Sequence, residues 1–138
     1  MAFTFQKRSI PEVITVTYER HEDERGFFEE TFKSSDFKQA GINLPFVQDN
    51  HSFSKKGILR GLHFQTAPEE QGKLVSVMSG RIFDVAVDIR SDSPYFGKWV
   101  SEELSSENRS MLWIPPGFAH GFVAIDDSHV IYKTTSEY

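Results

Sequence analysis

The chain alternates short apolar stretches with turn residues, and one interval looks helical. From Ile10 to Tyr18, Val13, Thr15 and Thr17 alternate with Ile14 and Val16, the period of a β-strand. Glu19–Arg25 is a charged turn region, and Gly26–Phe32 reads as a second short strand. Ser34–Ala40, closed by Gly41, reads as a short helix with Ser34 or Ser35 as its N-cap. Phe46–Ser54 is strand-like, with Gln48, Asn50 and Ser52 on one face and Val47, Asp49 and His51 on the other. Further strands are predicted over Arg60–Gln65, Leu74–Met78, Arg81–Ile89, Lys98–Leu104, Ser110–Ile114, Gly121–Ile125 and Val130–Thr134. Thr66–Gly72 is a polar loop, and Ser79-Gly80 makes the turn of a hairpin. Phe83, Val85, Val87 and Ile89 form one apolar face of their strand, with Asp84 and Asp88 on the other. Many short strands with regular turns and a single helix candidate predict an all-β sandwich or barrel with at most one or two short helices.

Composition narrows the picture. The 138 residues fit one domain, 1–138, long enough to bury a core. Thirteen phenylalanines favour strands, and their density in the N-terminal third leaves more apolar surface than a small barrel easily covers, which suggests a homodimer. The net charge of −5 implies no general affinity for nucleic acid, so any phosphate would be bound by a few placed cations. With no cysteine there are no disulfides and no thiolate metal sites. No apolar run is long enough to span a membrane, and Met1–Pro11 lacks the apolar core of a signal peptide, so the cytoplasm is the default location.

The candidate chemistry centres on Gly57-Ile58-Leu59-Arg60-Gly61-Leu62-His63-Phe64-Gln65. Arg60 and His63 interrupt an apolar strand, where burying an unpaired polar group is costly. In a regular strand they point to opposite faces, and a bulge at Gly61 would turn both to one side. The bland alternative is a surface Arg and a hydrogen-bonded core His. Pro115-Pro116-Gly117-Phe118-Ala119-His120 sets an imidazole just after a tight turn. Similar turns in cupin barrels carry a metal-binding His, and a metal site of His63, His120 and Glu69 or Glu70 is one reading. Gln65 stands where such sites place a second His, which weakens it.

Lys73 is either a solvated edge residue or a cation aimed inward from the same sheet as His63. Tyr132, among Val130, Ile131 and Lys133, reads as a core ring whose hydroxyl reaches water. An inward carboxylate at Asp84 would need Lys73 or an imidazole as partner. Arg25, Glu30, Gln48, Asn50 and Arg60 could together hold a diphosphate and sugar hydroxyls.

Several motifs occur in one order: Arg25-Gly-Phe-Phe-x-Glu30, Gln48-Asp-Asn50, Leu59-Arg-Gly-Leu-His63, Gln71-Gly-Lys73-Leu-Val, Phe83-Asp-Val-Ala-Val-Asp-Ile-Arg90, Phe96-Gly-Lys-Trp99, Trp113-Ile-Pro-x-Gly-Phe-Ala-His120-Gly-Phe and Tyr132-Lys. From Arg25 to the last residue this resembles the dTDP-4-dehydrorhamnose 3,5-epimerase family. The resemblance implies a cupin-type jelly roll, a homodimer that exchanges N-terminal strands, a dTDP-sugar substrate, and catalysis with neither metal nor organic cofactor. It implies His63 as base, Tyr132 as acid and Lys73 beside the sugar ketone. Arg25, Glu30, Gln48, Asn50, Arg60 and His120 would bind the sugar nucleotide, and Tyr138 would stack on thymine. Family members usually continue past this point into a tail whose carboxylate orients the catalytic His, and that tail is absent from 1–138. A related mono-epimerase or ketoisomerase, or a binding-only cupin, are the alternative readings.

Overall fold

The structure, a computed structural model, describes residues 2–43 and 45–138; Met1 and Leu44 of the expected 1–138 domain lie outside the described residues. The chain runs β1 (Phe3–Lys7), β2 (Ile14–Tyr18), β3 (His21–Asp23), β4 (Gly26–Phe28), α1 (Ser34–Gln39), β5 (Gln48–Ser54), β6 (Leu59–His63) and β7 (Lys73–Ser79). It continues through β8 (Arg81–Asp88), β9 (Trp99–Ser105), β10 (Ser110–Ile114), β11 (Phe118–Ala124) and β12 (Ser128–Thr134). Two antiparallel sheets form the body, one ordered β1-β2-β10-β7-β12-β5 and the other β6-β11-β8-β9, while β3 and β4 make a separate hairpin. This is the expected all-β jelly-roll sandwich with one short helix.

The core between the sheets is built from alternate residues of each strand, as the pleat requires. Val75, Val77, Leu112, Ile114 and Val130 of the large sheet meet Ile82, Ala86, Val100, Leu104, Phe118 and Phe122 of the small one. A second cluster lies on the opposite face of the large sheet, where Ile14, Val16, Leu74, Met111 and Trp113 are covered by Phe3, Phe37 and Ile42. Phe37 of α1 is fully buried and meets Phe3 and Phe5 edge-on, each at 5.1 Å between ring centroids.

Several expectations are corrected. β1 was not foreseen; Phe3 and Phe5 alternate along it and it pairs with β2 as an edge strand. The strand expected over Gly26–Phe32 stops at Phe28, and its partner His21–Asp23 comes from the supposed charged turn. Neither Ser34 nor Ser35 caps α1: the N-cap is Lys33 and makes no side-chain capping bond. Docking of Phe37 holds this short helix, as is usual when a helix is too short to be stable by propensity. The apolar face of β8 turns out to be the outer one. Phe83 is 42% exposed, while Asp84 and Asp88 are fully buried between the sheets. Each of those carboxylates has a partner, which makes the inward placement tolerable: Asp84 pairs with His120, and Asp88 accepts from Arg90 and Ser93.

Candidate active site

The strand that carries His63 bends where Gly61 sits. Register between β6 and β11 pairs His63 with His120 and Arg60 with Phe122, so two residues of β6 oppose one of β11. This is a β-bulge, and it turns Arg60 and His63 toward the same hollow. Gly61 adopts φ +110°, and a Cβ there would lie 2.7 Å from the His120 carbonyl oxygen and from Gly121 Cα. Glycine is therefore demanded twice, by conformation and by the closeness of the neighbouring backbone.

The hollow consists of two adjoining cavities. One, of about 130 Å³, is lined by Ser52, Arg60, His63, Lys73, His120 and Tyr132. The other, of about 360 Å³, shares His63, Lys73 and Tyr132 and adds Asn50, Gln65, Gln71 and Tyr138. A larger groove of about 520 Å³ beside α1 is lined by Phe32, Lys38, Ile42, Phe46 and Lys133 and brings together no acid and base.

His63 and Arg60 come from β6 in the small sheet, whereas Lys73 and Tyr132 come from β7 and β12 in the large one. The expectation that Lys73 shares a sheet with His63 is thus wrong in a useful way. The strands that follow His63 cross the sandwich, so Lys73 faces His63 rather than flanking it. Lys73 is only 8% exposed, and its Nζ lies 5.5 Å from the centroid of the Tyr132 ring. Burial pushes this ammonium below the usual lysine range, and the negative charge of Asp84 partly offsets that.

Each wall is held by specific contacts. Arg60 Nε donates to Ser54 Oγ at 2.7 Å, and its Nη2 donates to the Phe53 carbonyl at 3.1 Å. His120 Nε2 lies 2.6 Å from Asp84 Oδ1; a carboxylate can only accept, so Nε2 carries the hydrogen. On β5 the Gln48 amide donates to Asn50 Oδ1 at 3.0 Å, and the Tyr138 backbone N–H donates to Gln48 Oε1 at 3.1 Å. Residues 135–136 are tied to residues 69–72, with Thr135 N–H donating to the Gly72 carbonyl and Gln71 Nε2 to the Ser136 carbonyl. These bonds lay the chain end along the mouth of the hollow, where Tyr138 is 96% exposed. Among the described residues, His63 has no side-chain hydrogen-bond partner.

Eight of the expected site residues therefore gather at one hollow: Gln48, Asn50, Arg60, His63, Lys73, His120, Tyr132 and Tyr138. Arg25 and Glu30 do not. Arg25 lies on the β3–β4 hairpin and donates to Asp23 at 2.7 Å, and Glu30 follows the hairpin directly. Ser52, Gln65 and Gln71 also line the hollow and were not among the expected site residues. Ser52 could have been, since it shares its strand face with Gln48 and Asn50. Among the described residues no group of three His, Asp or Glu is placed to hold a metal ion, and His120 directs Nε2 at Asp84 instead. Among the described residues no helix is long and apolar enough to cross a membrane.

A base and a phenol on facing walls, with a buried ammonium beside the phenol, suit proton transfer to and from carbon next to a ketone. The relatives point to the same chemistry. A protein of Shigella flexneri called dTDP-4-dehydrorhamnose 3,5-epimerase is 54% identical over 134 residues, which cover 96% of this chain and 74% of that one. A crystal structure of the enzyme of that name from Sulfolobus tokodaii superposes with a TM-score of 0.96 at 53% identity, covering all of this chain and 78% of its own. The Legionella pneumophila enzyme, solved in complex with dTDP-4-keto-L-rhamnose, superposes at a TM-score of 0.95 and 48% identity, with 99% of this chain and 73% of its own covered. The family model described as dTDP-4-dehydrorhamnose 3,5-epimerase matches residues 7–138. This chain belongs to the dTDP-4-dehydrorhamnose 3,5-epimerase family.

Proposed function

We propose that residues 1–138 act as a single epimerase domain that inverts the carbons flanking the ketone of dTDP-4-dehydro-6-deoxy-D-glucose, giving dTDP-4-dehydro-L-rhamnose for dTDP-L-rhamnose synthesis in the cytoplasm. The observation that carries this reading is the opposition of His63 to Lys73 and Tyr132 across one hollow. The ketone acidifies the C–H bonds on either side of it. His63 removes such a proton, and the electron pair moves onto the ketone oxygen as an enolate. The Lys73 ammonium stabilises that oxygen. Tyr132 then delivers a proton to the opposite face of the carbon, which inverts it. The sequence of steps needs no redox partner, because no electrons leave the substrate. Gln48, Asn50, Arg60 and His120 hold the sugar nucleotide, and Tyr138 stacks on thymine.

The unit of function is a homodimer. Leu59, Leu62, Phe83 and Trp99 are each 42–67% exposed, and register along β6, β11, β8 and β9 places them on the outer face of the small sheet. The β3–β4 hairpin, bearing exposed Phe27 and Phe28, has no place in either large sheet. In the dimer the hairpin of one protomer lies over the hollow of the other, which brings Arg25 and Glu30 to the substrate.

Incubation with dTDP-4-dehydro-6-deoxy-D-glucose in deuterated water tests the reading. Deuterium should enter at both carbons beside the ketone, with formation of the L-rhamnose epimer. Uptake and inversion at one carbon would mark a mono-epimerase, a moved ketone an isomerase, and binding without turnover a binding protein.

A further inference from the structure

Asp84 is fully buried on the inner face of β8, yet only one of its carboxylate oxygens is used. Oδ1 accepts from His120 Nε2, and Oδ2 has no hydrogen-bond partner. Leaving half of a buried carboxylate unsatisfied is costly. The bond to His120 does not require the charge, since an asparagine of the same shape would also accept from Nε2. The negative charge at this point therefore needs a separate reason. Lys73 supplies one. It is the buried cation of the same hollow, it makes no ion pair within 4.0 Å among the described residues, and the charge of Asp84 reaches it through space. The other titratable groups around Lys73 are His120 on β11, Arg60 and His63 on β6, Tyr132 on β12 and Tyr138 at the chain end. Arg60 is a further cation, so among these groups Asp84 is the carboxylate that favours the ammonium.

We propose that Asp84 is a positioning residue for the reaction: it fixes the ring and tautomer of His120, and it supplies the buried counter-charge that lets Lys73 meet the sugar ketone as an ammonium. Asp84 pairs across the strands with Phe122, bonds His120 and does not line the hollow, so it acts through His120 and Lys73 rather than on substrate. The identity of the reaction rests on the reading above. The counter-charge role rests on the burial of Asp84 and Lys73 on either side of His120, which bonds the one and shares a cavity with the other.

The test compares D84N with H120Q. D84N keeps the packing and the acceptor but removes the charge. Its alkaline limb in kcat/KM should move to lower pH by about one unit, the size of effect a nearby opposite charge has. The Lys73 ammonium, followed by NMR of its Nζ and Cε, should lose its proton earlier by the same amount. H120Q leaves the charge in place, so KM should rise while the limb and the Lys73 titration stay put. A D84N protein that loses activity equally at every pH, with Lys73 titrating as in the wild type, overturns the proposal. If D84N does not fold, the wild type decides: a carbon NMR signal of Asp84 showing the protonated acid at neutral pH overturns it, and the carboxylate signal supports it. The NMR measurements need no turnover. A wild-type chain that fails to epimerise therefore sinks the proposed reaction and leaves the counter-charge role to be judged on Lys73.

Discussion

The two walls of the hollow are built differently. Lys73 and Tyr132 stand on β7 and β12, each flanked by a strand on both sides, and Lys73 is almost wholly buried. His63 and Arg60 stand on β6, an edge strand with one neighbour, and every residue from Leu59 to His63 is exposed. In the proposed mechanism the large sheet thus fixes the groups that must stay dry, since an ammonium acts more strongly on an enolate oxygen when water is excluded. The small sheet presents His63 to solvent. In the proposed mechanism one wall supplies the electrostatic environment, and the other supplies the group that exchanges protons.

The largest break in this comparison is removal of the base. H63A should abolish epimerisation and solvent exchange together, a loss of about 100- to 10,000-fold. Y132F should lose inversion while His63 continues to exchange the proton on its own face. Deuterium uptake measured by mass spectrometry beside product formation separates the two. Retained exchange in H63A with lost exchange in Y132F would reverse the roles. On the buried wall, K73A should lower kcat by about 100- to 1,000-fold, the cost of removing one group that stabilises an oxyanion. Substrate affinity, read by calorimetry, should change far less.

The edge wall can be broken without touching a chemical group. G61A forces a side chain into a positive-φ position and against the His120 carbonyl. It should destabilise the protein by about 3 kcal/mol in urea unfolding, the upper end for one strained residue, and misdirect His63. The smallest effect lies at the rim of the small sheet. Arg90 and Ser93 hold the Asp88 carboxyl at a pKa of about 2, below its ordinary 3.8. A depressed pKa stabilises the fold above the unfolded value and ceases to do so as pH falls through the folded one. D88N should therefore be less stable than the wild type by about 2 kcal/mol at neutral pH. That gap should close between about pH 4 and pH 2 in chemical denaturation.

Much of this arrangement was legible in the chain, for physical reasons that also explain the misses. Alternation gives the two faces of a strand, so Gln48, Asn50 and Ser52 were correctly grouped. Alternation does not say which face is inside. On β8 the apolar face lies outward, while the carboxylates turn inward to fixed partners. Nor does it say which sheet a strand joins, so Lys73 was assigned to the wrong wall. The Gly61 bulge was legible because Arg60 and His63 have the wrong spacing to share a face otherwise. The cap of α1 was misread because Phe37, through ring contacts distant in sequence, holds that helix where a serine was expected to. Arg25 and Glu30 were grouped with the substrate residues by motif, and within one copy of the chain they lie on and beside the β3–β4 hairpin, away from the hollow.

The two tryptophans fall on opposite sides of this organisation. Trp113 is 5% exposed and packs edge-on against Phe46, at 5.9 Å between ring centroids, within the cluster under α1. Trp99 is 58% exposed and pairs across β8 and β9 with Val87 on the outer face of the small sheet. The chain therefore carries two built-in optical reporters. Emission from Trp113 follows the integrity of the fold, and emission from Trp99 follows the wetness of the face that a second protomer would cover. Diluting the protein should redden the second signal and leave the first where it is.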